Sequence, residues 1–176
     1  MALRIAVIGA GRAGRDFAVA CAGAGFDVVL EDVMPDKLRN AAEVFAQMQR
    51  EVRLVSTVED AVREADVAVD FVPDELESKL EIWSMIDRMA PPKTVMCTPS
   101  EVLSITDLAS CTYRGDRCIM VRNALAGSGT VRLLSAGETS AATLVLVSDL
   151  FKALGYETST EADPDLPQLL KNMRLA

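Results

Sequence analysis

The chain contains no histidine. That removes the commonest general base and the commonest transition-metal ligand. Aromatic residues make up only 5% of the sequence, so Ala, Val, Leu and Ile must build any core. No apolar run reaches the roughly 20 residues of a membrane-spanning helix. There is no long basic run, and the formal net charge is −8, which argues against nucleic acid and anionic membrane as main partners. Cysteine is sparse. Cys21, Cys97, Cys111 and Cys118 follow neither a CxxC spacing nor a zinc pattern, so no metal site is expected. They read as reduced, mostly buried thiols of a cytosolic protein. Only Met1-Ala2-Leu3 precede Arg4, so no signal peptide is expected and a cytoplasmic location is.

Half of the 176 residues are apolar, enough for one full domain with a short appendage. Residues 3–8 (LRIAVI) form a short, β-branched run that reads as a strand buried on both faces. An Ala-rich helical stretch runs to Ala24, with Gly25 at its end, and DVVL (27–30) is the next strand. The alternation continues. Pro35 opens a helix through Met48, and Val52–Val55 is a short strand. Thr57 caps a helix that starts with Glu59 and Asp60, then Val67–Val72 is a strand and Glu75–Met89 a helix. Thr94–Cys97 and Ile119–Val121 are further strands, with Ser104 capping a short helix between them. Thr139 caps a last helix ending near Leu154, before a final strand at Tyr156–Ser159. This pattern predicts an α/β, doubly wound, mostly parallel sheet of the Rossmann type. The domain is expected over residues 1–160, with 161–176 as a tail or docking helix.

Directly after the first predicted strand lies Gly9-Ala10-Gly11-Arg12-Ala13-Gly14, a GxGxxG turn that opens a helix. Gly9 permits the tight turn, Gly11 lets the backbone approach a pyrophosphate, and Gly14 allows close helix–strand packing. The free N–H groups of the helix start then face the phosphates. Asp32 follows 18 residues after Gly14, at the end of the second strand, where a carboxylate accepts from the adenosine ribose. Glu31 doubles the negative charge there, so a 2′-phosphate is repelled and NAD is favoured over NADP.

Three stretches carry a resemblance: IAVIGAGRAGRDFAVACAGAGFDVVLEDV (5–33), STVEDAVREADVAVDFVPDELESK (56–79) and LSITDLA (103–109). Together they resemble the N-terminal NAD-binding domain of 3-hydroxyacyl-CoA dehydrogenases, including the 3-hydroxybutyryl-CoA type. The first stretch is generic to Rossmann dehydrogenases, and the other two are more specific. The resemblance implies oxidation of a 3-hydroxyacyl thioester by hydride transfer to NAD. It places Val72, Pro73, Asp74 and Lys79 near the cofactor, with Asp74 where the family usually has Glu. From the residues alone, Lys79 reads equally well as a helix-surface lysine.

The departures concern the chemistry. Where the family has its catalytic His in a His-Phe-Phe-Asn-Pro segment, this chain has Arg122, with Leu125 and Ala126 in place of Asn and Pro. The Glu that orients that His has no counterpart in Thr130-Val131-Arg132-Leu133-Leu134, and the family's Asn-Thr-Ser-Ser becomes Pro99-Ser100-Glu101-Val102. The family's helical hairpin after its second strand is reduced to Pro35–Glu51, and the chain stops near where the family's helical second domain would begin. Arginine does not deprotonate and cannot act as base. Arg122, with Arg132, could hold an anion or polarise a carbonyl, or be an exposed strand-end residue. Ser100 and Glu101 are the other catalytic candidates, with Glu101 able to pair with Arg122. Tyr113 and Cys97 are weaker polar contacts, and Cys97 reads better as core.

Three functions fit these residues. The chain is an NAD-binding protein whose usual catalytic pair is replaced, serving as sensor or accessory subunit. Or it is an oxidoreductase on a hydroxyacyl-CoA, completed by a dimer or a partner. Or it acts on another anionic substrate through Arg122. A homodimer is expected, with Val131–Leu134 and the helix from Thr139 as the exposed apolar surface.

Overall fold

The computed structural model describes residues 3–123 and 129–169. Strand β1 (Arg4–Ile8) leads through the glycine turn into α1 (Arg12–Gly23), then β2 (Asp27–Glu31), α2 (Pro35–Gln47), β3 (Arg53–Val55) and α3 (Val58–Val62). The second half runs β4 (Val67–Asp70), α4 (Leu76–Met89), β5 (Val95–Pro99), α5 (Ile105–Ser110), β6 (Cys118–Arg122), β7 (Thr130–Ser135), α6 (Ala141–Ala153) and β8 (Glu157–Ala162). All eight strands form one sheet in the order β3-β2-β1-β4-β5-β6-β7-β8. The first six are parallel; β7 runs antiparallel to β6, and β8 parallel to β7. This is an α/β Rossmann-type fold whose strand order reverses between β1 and β4, where such sheets open a crevice.

The apolar runs are continuous because each strand is covered on both faces. Ile5, Val7, Leu30 and Val69 pack under α1, α2 and α6 against Ala18, Phe45 and Phe151. The alternating positions Ala6, Ile8, Val29 and Met96 pack on α3, α4 and α5 against Ala61, Trp83 and Leu108. Small side chains let the helices lie close. At Gly14 an added Cβ would stand 1.9 Å from the Gly9 carbonyl oxygen.

Several expectations shift. β4 ends at Asp70, so Phe71 and Val72 belong to the following loop rather than to the strand. The last helix is capped by Ser140, whose side chain accepts from the Thr143 N–H, while Thr139 instead donates its hydroxyl to the Cys118 carbonyl. Thr130–Ser135 is a strand between β6 and β8, and Val131, Leu133 and Leu134 are fully buried in it. That segment cannot be the exposed dimer surface expected from its composition. The apolar circumference of α6 is likewise largely internal: Val147, Leu150 and Phe151 are buried, and Val145 faces solvent. β8 continues through Ala162, two residues past the expected domain edge. Leu125 and Ala126 lie outside the described residues. Among the described residues, no helix is long and apolar enough to cross a membrane.

Candidate functional site

The site begins at the C-terminal end of β1. Gly9 turns the chain at φ +103°, a left-handed conformation that side chains disfavour, and its N–H donates to the Glu31 carbonyl at 2.8 Å. Gly11 is the N-cap of α1 and provides no side-chain cap, so the first N–H groups of the helix lack the usual side-chain acceptor. A Cβ added at Gly11 would meet nothing within 4 Å. Space in front of uncapped N–H groups at a helix start is the cradle that a pyrophosphate fills.

At the end of β2, Asp32 is 5% exposed. Its Oδ2 accepts from the Ala10 N–H at 2.9 Å and stands 3.3 Å from Lys37 Nζ. Its Oδ1 accepts from the Met34 N–H at 2.9 Å. Asp32 thus ties the glycine turn to the β2–α2 corner. Beside it a cleft of about 480 Å³ opens between Gly9, Gly11, Glu31 and Lys37 on one side and Val72, Pro73 and Glu81 on the other. A second hollow of about 180 Å³ continues past Phe71 and Val72 to Ala13, Asp74, Pro99, Ser100, Glu101 and Val121. A third, apolar cavity of about 110 Å³ shares Ala13, Phe71, Pro99 and Val121 with the second and is closed by Phe17, Phe151 and Tyr156. Phe17 packs on Phe71 and on Phe151 with ring centroids 5.3 and 6.0 Å apart. The three spaces meet at Phe71 and lie in a row along the carboxyl ends of β1, β2, β4, β5 and β6, the crevice of this sheet.

The predicted residues divide. Gly9, Gly11, Asp32, Val72 and Pro73 line the first cleft, and Ala13, Asp74, Ser100 and Glu101 line the second. Asp74 accepts the Glu101 N–H at 3.0 Å, and Glu101 Oε1 accepts the Asn123 N–H at 2.9 Å. These two carboxylates therefore pin three crevice loops together. Ser100 is buried, and its Oγ accepts from the N–H groups of Val102 and Leu103. Arg12 is exposed, 3.8 Å from Asp16.

Lys79 is neither a surface lysine nor a residue of the crevice wall. It is fully buried, with Nζ 2.8 Å from Asp70 Oδ1 and 2.8 Å from Thr98 Oγ1. Trp83 donates its indole N–H to the other Asp70 oxygen at 2.8 Å. Together they lock α4 onto the ends of β4 and β5.

Arg122 does not pair with Glu101. It is 6% exposed, and it donates from Nε to the Ser100 carbonyl and from Nη2 to the Leu103 carbonyl and the Asp165 carboxylate. Its register partner Arg132 makes a two-pronged ion pair with Glu161, at 2.8 and 2.7 Å. The carboxylates absent from 130–134 are thus delivered from the C-terminal segment, which no local pattern places here. Asp163 continues the attachment by accepting from the Ser104 hydroxyl and the Thr106 N–H, and Asp107 accepts the N–H groups of Gln168 and Leu169. Tyr113 is fully exposed, and its N–H donates to Asp87 near the C-terminal end of α4, away from the crevice. Cys97 is buried in the core, where desolvation raises its thiol pKa well above normal. All four cysteines are free thiols.

Sequence reasoning did not single out Glu31 by itself. Its side chain is 3% exposed, and Oε1 has no hydrogen-bond partner. Burial, and then the neighbouring Asp32, push its carboxyl up to about 7, with Lys37 acting in the opposite direction. The signal was visible only as a second acid at the end of an apolar strand.

A glycine turn at the first strand, an uncapped helix start and an acid after the second strand define a dinucleotide-binding domain of the Rossmann type. The sequence profile of the NAD-binding domain of 3-hydroxyacyl-CoA dehydrogenase matches residues 4–160, and the chain belongs to that family. It is 29% identical over 189 residues to a probable 3-hydroxybutyryl-CoA dehydrogenase of Bacillus subtilis (strain 168), covering 96% of this chain and 65% of that protein. It is 28% identical over 204 residues to the mitochondrial hydroxyacyl-coenzyme A dehydrogenase of Sus scrofa, with 97% and 65% covered. The chain therefore spans just under two thirds of these relatives. Among solved structures, a diketoreductase superposes with a TM-score of 0.84 at 22% identity, over 99% of this chain and 69% of that one. The (S)-3-hydroxybutyryl-CoA dehydrogenase of Ralstonia eutropha gives 0.81 at 22% identity, over 93% and 64%. Both likenesses concern the fold.

Proposed function

We propose that the chain binds NAD(H) along this crevice and has lost the acid–base pair with which its family reacts. The observation that carries the binding is the glycine turn. Gly9 holds a left-handed backbone, Gly14 contacts the Gly9 carbonyl, and between them Gly11 faces open space before uncapped N–H groups. Such a cradle fits a pyrophosphate. Asp32 holds the turn in shape and presents its remaining lone pair to the ribose. Pro73 and Val72 wall the cleft, and the hollow at Ser100 and Glu101 receives the nicotinamide end.

Bound NAD supplies a hydride acceptor, but the reaction also needs a group to take the proton from the hydroxyl. At the family's His position stands Arg122, permanently charged and engaged with two carbonyls and Asp165. It is therefore neither a base nor a free anion holder. This supports a sensor or accessory role over turnover by the chain alone. Calorimetric titration with NAD, NADH and NADPH tests the binding. Affinity for NADH that is weakened by Gly11→Val and by Asp32→Ala is expected, and no binding by the folded chain overturns the reading. An assay with acetoacetyl-CoA and NADH tests the chemistry, and normal turnover by this chain overturns the loss of catalysis.

A further inference from the structure

Glu31 is a buried acid with no structural partner for one of its oxygens. Asp32, the acid that the motif spacing assigns to the ribose, already receives the N–H groups of Ala10 and Met34 and lies near Lys37. Three of its roughly four lone-pair positions are occupied. One residue earlier, Glu31 Oε1 accepts nothing, although the side chain is 97% buried by its 3% exposure. Native proteins rarely bury such an atom without a ligand or water to satisfy it. The alternation of β2 places Glu31 on the same face as Val29, toward α3 and α4. On that side runs the first cleft, whose wall Glu31 forms together with Gly9 and Gly11.

We propose that Glu31 is a second recognition carboxyl for the adenosine, taking a ribose hydroxyl as its missing donor and setting the preference against a 2′-phosphate. This rests on the reading of the crevice as an NAD(H) site. The charged groups facing Glu31 are Asp32 from its own strand end, Lys37 from α2 and Glu81 from α4. Its register neighbours Ile8 and Val55, and Val58 of α3, are apolar. A carboxylate accepts a hydroxyl hydrogen more strongly than a neutral acid does. Glu31 changes charge near pH 7, since burial and Asp32 raise its pKa to about 7. The ribose contact therefore strengthens as pH rises through neutrality.

The test is titration of the full chain with NADH and with NADPH at pH 6 and pH 8, for wild type, Glu31→Gln and Glu31→Val. NADH binding by wild type should tighten about tenfold from pH 6 to pH 8, following the ionised fraction of the acid. Both variants should lose that slope, bind NADH less tightly at pH 8 and discriminate less between NADH and NADPH. Thermal unfolding of Glu31→Gln controls for folding. If wild type binds NADH while both folded variants keep its affinity, slope and preference, Glu31 has no recognition role. If wild type binds NADH at neither pH, the cofactor reading itself fails, and this inference falls with it.

Discussion

Replacing Lys79 by Met should damage the fold far more than a surface lysine could. The Nζ lies 2.8 Å from Asp70 Oδ1 and 2.8 Å from Thr98 Oγ1, and the two charged side chains are 1% and 0% exposed. Without the ammonium, Asp70 keeps only the Trp83 N–H and must carry an unpaired charge in the core or take up a proton. Breaking one half of a buried pair costs about 3–5 kcal/mol. For a domain of this size each kcal/mol lowers Tm by roughly 2–4 °C. A fall of roughly 6–20 °C is therefore expected, read by circular dichroism during heating. The double variant Asp70→Asn/Lys79→Met removes both charges and leaves Trp83 an acceptor. It should unfold above the Lys79→Met single variant, because the penalty lies in the stranded charge rather than in the lost attraction. A Lys79→Met protein within 1 kcal/mol of wild type, or a double variant less stable than that single one, would refute the account.

Gly11→Ala should leave Tm unchanged while weakening NADH binding, since its Cβ meets no protein atom and would enter the space proposed for the pyrophosphate. Gly14→Ala should lower Tm as well, because its Cβ collides with the Gly9 carbonyl; equal Tm values for the two would contradict the packing. Arg122→Met strands the Ser100 and Leu103 carbonyls and the Asp165 carboxylate, and should cost about 1–3 kcal/mol in urea unfolding; a neutral effect would return Arg122 to solvent. The folded Glu31 carboxyl sits near 7 against its ordinary 4.5, so the folded state holds a proton that the unfolded state releases between these values. Its stabilisation is complete below pH 4.5 and is lost as pH rises through 7. Glu31→Gln should match wild type at acid pH and exceed it at pH 8 by about 2–3 kcal/mol in denaturant titrations, and equal stability at both pH values would refute this. A maleimide should label Cys111 in the native chain and leave Cys21 and Cys118 untouched, since these are buried with thiols pushed up to about 12; fast triple labelling would contradict the burial.

The parallel half of the sheet was legible because its strands are continuous apolar runs separated by capped helices. Thr57 and Ser104 cap where their positions suggested. The glycine turn and Asp32 were readable because phosphate binding demands fixed offsets along one βαβ unit. β7 was missed because TVRLLS carries an arginine at its centre, which breaks the apolar run and hides three buried residues. Lys79, Arg122 and Arg132 were illegible for one reason. Charge alone does not reveal a partner; buried Lys79 and Arg122 and half-exposed Arg132 are held by Asp70, Asp165 and Glu161, which lie 9, 43 and 29 residues away. The acid-rich stretch 161–165 looked like a solvated tail for the same reason.

The buried Lys79–Asp70–Trp83 cluster has an optical consequence. The chain has one tryptophan, and its indole is 1% exposed with its N–H fixed on Asp70. All tryptophan emission from the folded protein therefore arises at a single dry position, bonded to Asp70, the residue just before Phe71, whose side chain is common to all three spaces of the crevice. Reduced nicotinamide absorbs in the range where indole emits. Bound NADH would therefore quench this emission by energy transfer, so binding of the reduced cofactor would be readable on the native chain without a label.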